Sequence, residues 1–134
     1  MTTFALKIVT PDGIRFDGQA EELIVRTTTG ELGVLAGHIN FVAPLGMGRA
    51  TVVVDGVKRC AACIGGMVSV VDGAVSLVPT TFEWAENIDV ARAEQSYKRA
   101  QTVLESKNAT DTDILLAKAR LRRALVRRDV GTNK

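Results

Sequence analysis

Arginine is the residue type in this chain with the clearest capacity for chemistry. Lys118, Arg120, Arg122, Arg123, Arg127 and Arg128 follow one another with no acid between Ile114 and Arg128. Arg123 and Arg127 stand four residues apart, on one face of a helix. Arg92 and Arg99 stand seven apart, again one face, about 10 Å along the axis. If the two helices lie antiparallel, four guanidinium groups converge. Their planar forks suit the oxygens of phosphates and carboxylates. The basic segment therefore reads as a polyanion site, as a docking face for an acidic protein, or as a plain solvated face.

The other reactive residue types are sparse. Cys60 and Cys63 form a Cys-Ala-Ala-Cys. The spacing suits a redox pair or half a zinc site. Its flanks, Val57 to Ile64, read as a strand rather than the helix start that activates thiolates, so both cysteines are expected in the core. The single histidine, His38, lies in a glycine-rich stretch, Gly30 to Gly48. That stretch lacks Gly-Lys-Ser/Thr and GxGxxG, so it is not a phosphate loop. It reads as tight turns between short strands, with His38 a turn or surface residue. One histidine, no nucleophile paired with a base and no cofactor loop argue against an enzyme. No catalytic or metal-binding residue is expected.

The elements that must position the arginines follow from composition. Of 12 glycines, 11 lie between Gly13 and Gly73, and all three prolines precede residue 80. From Ala85 to Val130 there is neither. Glycine and proline punctuate β-structure and interrupt helices. The chain thus reads as an α+β protein, with a β domain over 1–84 and a helical domain over 85–134. Charge divides at the same point: six Lys and Arg against eight Asp and Glu before it, eleven against seven after it.

In the β part, Phe4, Leu6 and Ile8 alternate with Ala5, Lys7 and Val9, the period of a half-buried strand. Pro11-Asp12-Gly13 turns the chain. Leu23 to Thr27 is a further strand. Ala50–Val54 and Val57–Ile64 flank Asp55-Gly56; Met67–Val71 and Ala74–Val78 flank Asp72-Gly73. Asp-Gly between apolar runs is a strong hairpin signal. Many short strands at this spacing suggest a sandwich or flattened barrel.

In the helical part, Asn87 or Asp89 can cap a helix beginning near Val90, and Asp111 or Asp113 a second one. Val90, Ala93, Tyr97, Ala100 and Leu104 share one face; Ile114, Ala117, Leu121 and Ala124 share another. These narrow, alanine-rich stripes read as an antiparallel two-helix hairpin with a thin seam.

At 134 residues and 46% hydrophobic content, the chain can build a core without disulfides or metal. The longest apolar run, Ile64 to Val71, is too short to span a bilayer. The first ten residues show no basic stretch followed by an apolar block, so no signal or transit peptide is expected. Residues alone leave a nucleic-acid-binding module on the basic helix as an alternative. Aromatics at 4% and an acidic front weigh against it.

Four segments in order carry a family resemblance: Val9-Thr-Pro-Asp-Gly13, Gly30-Glu-Leu-Gly-Val-Leu-Ala-Gly-His38, Gly65-Gly66 followed by a strand and Asp72-Gly73, and Ile88-Asp-Val-Ala-Arg-Ala93. Nearly the whole chain resembles the epsilon subunit of the bacterial F-type ATP synthase. Ala36 and Asn40 stand where the family often has proline. The resemblance implies a ten-stranded β-sandwich followed by the two-helix hairpin. It implies a rotor subunit of the central stalk, without catalysis of its own, that helps couple proton flow to ATP synthesis. Its implied partners are the gamma subunit, the ring of c subunits, and the beta and alpha subunits. Its implied place is peripheral, at the cytoplasmic face of the bacterial plasma membrane, with no nucleic acid as partner.

Two sites follow from the resemblance. Ile88 to Ala93 is similar to the Ile/Leu-Asp-x-x-Arg-Ala motif through which some relatives bind ATP as a regulatory ligand. The matching positions are Glu83, Ile88, Asp89, Arg92, Arg99, Arg123 and Arg127. No cofactor is required and no metal is implied. The helical tail would also rise into the catalytic head and meet acidic segments of beta through Arg120, Arg122, Arg123, Arg127 and Arg128, blocking hydrolysis.

Overall fold

Two positive-φ dipeptides set the strand pairing. In a computed structural model describing residues 2–132, Asp55 and Gly56 have φ of 51° and 75°, and Asp72 and Gly73 of 50° and 83°. Paired positive φ values match the right-handed twist of the strands on either side. The first dipeptide joins β6 (Met47–Val54) to β7 (Val57–Ile64), and the second joins β8 (Met67–Val71) to β9 (Ala74–Val78). The Glu21 carboxylate accepts from the Gly56 N–H at 2.9 Å, fastening the first turn.

The remaining strands are β1 (Phe4–Thr10), β2 (Gly13–Ala20), β3 (Glu22–Thr27), β4 (Gly30–Leu35), β5 (Phe41–Pro44) and β10 (Thr81–Trp84). One sheet has the order β2-β1-β9-β8-β5 and the other β10-β7-β6-β3-β4. All pairs are antiparallel except β1 with β9. Two threonines build matching turns. Thr10 Oγ1 donates to the Gly13 carbonyl at 3.1 Å, and Thr27 Oγ1 to the Gly30 carbonyl at 2.7 Å.

The glycine-rich stretch holds short strands joined by tight connections, as expected, though strand takes the larger share. Gly30 to Leu35 is a full edge strand, and only Ala36-Gly37 turns. Gly46 and Gly48 serve close packing: a Cβ on either would lie 3.2 Å from the Thr27 carbonyl oxygen or 3.1 Å from the Arg26 side chain.

The two sheets enclose an aliphatic core. Phe4, Leu6, Ile8, Val68, Val70, Val75 and Leu77 come from one sheet, and Leu23, Val25, Val34, Val52, Phe82 and Trp84 from the other. Phe82 and Trp84 meet edge to face with centroids 4.9 Å apart. Arg59 lies over the Trp84 ring at 3.8 Å.

After Trp84 a single 3₁₀ turn (Ala85–Asn87) leads into α1 (Val90–Glu105) and α2 (Asp111–Thr132). The chain divides into two compact units, Met1–Trp84 and Ala85–Lys134. Asp89 caps α1, its Oδ1 accepting from the Arg92 N–H at 3.0 Å. The cap of α2 is Thr110, not Asp111 or Asp113. Thr110 Oγ1 accepts from the Asp113 N–H, and Asp113 Oδ2 accepts from the Thr110 N–H, both at 3.1 Å. This reciprocal pair satisfies two backbone donors at once, one at the cap and one in the first turn. Among the described residues, no helix is long and apolar enough to cross a membrane.

Candidate functional site

The helical unit is where the sequence places most of its site. The middle of its seam is built from single methyl groups, with Val130 buried towards the end of α2. Ala93 and Ala100 of α1 and Ala117 and Ala124 of α2 are buried, each pair seven residues apart. Val90, Tyr97, Leu104, Ile114 and Leu121 flank them, half-buried. Small side chains bring the helix axes close but remove little apolar surface from water.

Contacts across the seam define its register. Gly131 of α2 faces Ile88 and Val90, and Arg128 reaches Glu94 and Tyr97. Residue numbers rise along one helix as they fall along the other, so the helices are antiparallel. Arg99 then stands level with Arg123, and Arg92 with Arg127. Arg92, Arg99 and Arg123 each immediately precede a seam alanine: Ala93, Ala100 and Ala124. In an antiparallel pair, positions just before the seam flank the same side on both helices. Arg127, three residues after Ala124, falls on that side too. The hairpin thus gathers these four arginines on one flank. Arg92, Arg99 and Arg123 are exposed and Arg127 is half-buried.

Ile88 is buried, 5% exposed, ahead of α1, and Asp89 is exposed at the helix cap. The cap role occupies one carboxylate oxygen of Asp89 and leaves it at the positive end of the α1 dipole, favourable for a carboxylate. Glu83 belongs to the first unit, half-buried on β10 and in register opposite Ala62.

The five arginines of the basic segment divide. Arg120, Arg122 and Arg123 are exposed. Arg128 is held on the opposite flank from the four-arginine group. Its guanidinium lies 4.7 Å from the Tyr97 ring centroid, 3.6 Å from a Glu94 carboxylate oxygen and 3.7 Å from Asp129. Sequence reading missed this stack and the seat of Gly131. Arg128 resembles its basic neighbours in sequence, and a glycine near the end of a helical pattern reads as a stop.

Of the two cysteines expected in the core, only one lies there. Cys63 is buried and Cys60 half-buried. Three residues apart on β7, they point to opposite faces. Burial pushes the Cys63 thiol up from 9.0 to about 12, which suppresses the reactive thiolate. His38 Nδ1 lies 2.7 Å from the Ile39 carbonyl oxygen, with its ring edge-on to Phe41. Among the described residues, no three His, Cys, Asp or Glu side chains are grouped to hold a metal.

Comparison with known proteins agrees with this division. Residues 3–85 match the family described as ATP synthase, Delta/Epsilon chain, beta-sandwich domain, and residues 86–130 the corresponding long alpha-helix domain. The chain is 39% identical over 135 residues to the ATP synthase epsilon chain of Ruminococcus albus, with both chains covered in full. It is 42% identical to that of Bacillus velezensis, covering 99% of this chain and 100% of the relative. For that of Bacillus subtilis the identity is 44%, over 85% of this chain and 86% of the relative. Among solved structures, a chain of the Euglena gracilis mitochondrial ATP synthase (OSCP/F1/c-ring) shares the fold. The TM-score is 0.81 at 24% identity, covering 91% of this chain and 77% of that one. A chain of the Tetrahymena thermophila mitochondrial ATP synthase central stalk and c-ring has a TM-score of 0.65 at 19% identity, with 95% of each covered. None of these relatives supports the nucleic-acid alternative.

Proposed function

The chain belongs to the ATP synthase delta/epsilon family, as a non-catalytic subunit of the F-type synthase, and we propose that its helical hairpin is a regulatory element with ATP as its ligand. The observation that carries this reading is the shared flank of Arg92, Arg99, Arg123 and Arg127. Guanidinium forks suit phosphate oxygens, and several along one flank can meet successive phosphates of one ligand. Asp89 would offer a carboxylate to the amine or ribose hydroxyls; Ile88, buried against Gly131, joins the set through the family motif. Glu83 joins this set through the family motif alone. With no phosphate loop to hold Mg²⁺, the ligand would be sensed rather than hydrolysed.

In the same reading, the sandwich keeps the subunit in the central stalk against the gamma subunit and the c-subunit ring. The complex holds the chain peripherally at the cytoplasmic face of the plasma membrane. Once open, α2 meets acidic surfaces of beta, beside alpha, through Arg120, Arg122, Arg123, Arg127 and Arg128, and blocks hydrolysis. Opening separates the two arginine pairs, so ATP binds only the closed hairpin. A ligand selective for one state favours it by about 2.7 kcal/mol at 100 times its Kd.

Two measurements test this. Removing residues 87–134 from the assembled synthase should leave ATP synthesis largely intact and raise ATP hydrolysis; unchanged hydrolysis removes the inhibitory role. Calorimetry of the full chain with ATP should give saturable heat that Asp89→Ala and Arg92→Ala each diminish. No heat at millimolar ATP, or heat that neither substitution alters, removes the ligand.

A further inference from the structure

Gly131 sits inside α2 rather than beyond its end, and is buried. An ideal Cβ on it would lie 2.8 Å from Val90 Cγ2, 2.9 Å from Ile88 Cγ2 and 3.2 Å from Ile88 Cβ. Distances below 3 Å are not tolerated between carbon atoms, so something would have to move. The atoms in the way belong to β-branched side chains, which are stiff at χ1 and cannot swing aside. Any movement falls on the backbone that carries them.

That backbone is the segment around Asp89. Ile88 and Val90 are its immediate neighbours, so α2 rests on both sides of the cap residue. The two bonds that start α1 depend on Asp89: its Oδ1 accepts from the Arg92 N–H at 3.0 Å, and its carbonyl from the Ala93 N–H at 3.0 Å. One turn earlier in α2, Arg128 lies over Tyr97 and against Glu94. The end of α2 therefore closes on the first two turns of α1 at two points, and the absence of a side chain at 131 makes the closer one.

We propose that Gly131 is a positioning residue: it seats the end of α2 on Ile88 and Val90 and so holds Asp89 and Arg92 in the arrangement a nucleotide meets. It touches no ligand. This role deepens the regulatory reading above and rests on it for the ligand. The seat itself is independent of any ligand.

The test compares the full-length wild-type chain with Gly131→Ala and Arg128→Gln by amide hydrogen exchange and by ATP titration. Alanine favours helix more than glycine does, so a loosening caused by Gly131→Ala is not a loss of helix propensity. Without ATP, exchange at the Arg92 and Ala93 amides should quicken at least tenfold in Gly131→Ala, with mid-helix amides of α1 unchanged. Arg128→Gln, which spares the seat but removes the stack, should quicken it by roughly threefold. The Kd for ATP should rise at least tenfold in Gly131→Ala. Wild-type protection of the Arg92 and Ala93 amides in Gly131→Ala overturns the proposal, whether or not ATP binds. If the wild-type chain binds no ATP, the ligand reading fails and the exchange comparison still decides the role of Gly131. Should Gly131→Ala not fold, Val90→Ala takes its place: it removes one wall of the seat and raises helix propensity, and wild-type exchange at the Arg92 and Ala93 amides in that variant overturns the proposal.

Discussion

The sandwich and the hairpin bury different amounts of carbon behind similar regularity of backbone. In the sandwich, Leu6, Ile8, Leu23, Val25, Val34, Val52, Val68, Val70 and Leu77 are 0–1% exposed. Each such aliphatic side chain contributes about 1.5–3 kcal/mol on full burial. In the hairpin, most buried residues are alanines, Ala93, Ala100, Ala117 and Ala124, one methyl each at about 0.8 kcal/mol per methyl-sized group, with Ile88 and Val130 the larger buried aliphatics at one end. Strand pairing also ties distant parts of the sandwich together, as where β1 pairs with β9, whereas the hairpin pairs two neighbouring helices. A seam of this kind is a specific fit without a large driving force. Such a seam is what the regulatory reading proposed above requires.

The contrast can be broken at its strong end. Leu23→Ala removes a fully buried side chain from the centre of the sandwich and should cost about 2–5 kcal/mol. The midpoint of denaturant unfolding, followed by Trp84 fluorescence, should drop accordingly. A cost below about 1 kcal/mol would mean that the sandwich core is as forgiving as the hairpin.

At the weak end, Ala100→Leu overfills the seam, at a cost of about 1–3 kcal/mol. Since the seam has little to lose, the expected result is separation of the helices. A pair of spin labels on α1 and α2 should report a longer, broader distance distribution while Trp84 fluorescence is unchanged. A wild-type distance would show that the seam has more room or more strength than four alanines supply.

The smallest effect concerns pH. Burial raises the Cys63 thiol pKa from 9.0 to about 12. The unfolded chain therefore loses this proton first as pH rises. The contribution is fully present below pH 9 and declines as pH climbs from 9 towards 12. Stability at pH 10 relative to pH 8 should fall by about 1 kcal/mol more in wild type than in Cys63→Ala, read from denaturant midpoints. Equal pH slopes in the two proteins would show that the thiol is more hydrated than its burial indicates.

Local signals were read correctly where one residue type answers one local demand. Asp-Gly at 55–56 and 72–73 gave both hairpins, because few other pairs accept two positive φ values in succession. Asp89 gave the start of α1, because an unpaired helix N-terminus needs an acceptor. Strands β2, β4, β5 and β10 were not visible as residue patterns. Gly30 to Leu35 has glycines where a strand normally alternates, and it is held by pairing with β3 from Glu22 to Thr27. The ten-strand count came from family resemblance instead. Thr110 caps α2 through a capping box with Asp113, which is recognised from two residues together rather than from the nearest aspartate.

For the candidate site, spacing along each helix put Arg92 with Arg99 and Arg123 with Arg127, and periodicity put alanines on the facing stripes. Those relations are intrahelical and follow from 3.6 residues per turn. Which arginine of one helix stands level with which of the other depends on how far the helices slide past each other, and no residue count contains that offset. Packing decided it: Gly131 admits Ile88 and Val90, Arg128 finds Tyr97 and Glu94, and the register that satisfies both leaves Arg128 on the far flank. The amino-acid sequence determined the elements, their faces and the charge they carry. The tertiary structure alone decided which charges share a flank and which glycine holds the helices together, because a steric fit exists only between surfaces already brought into contact.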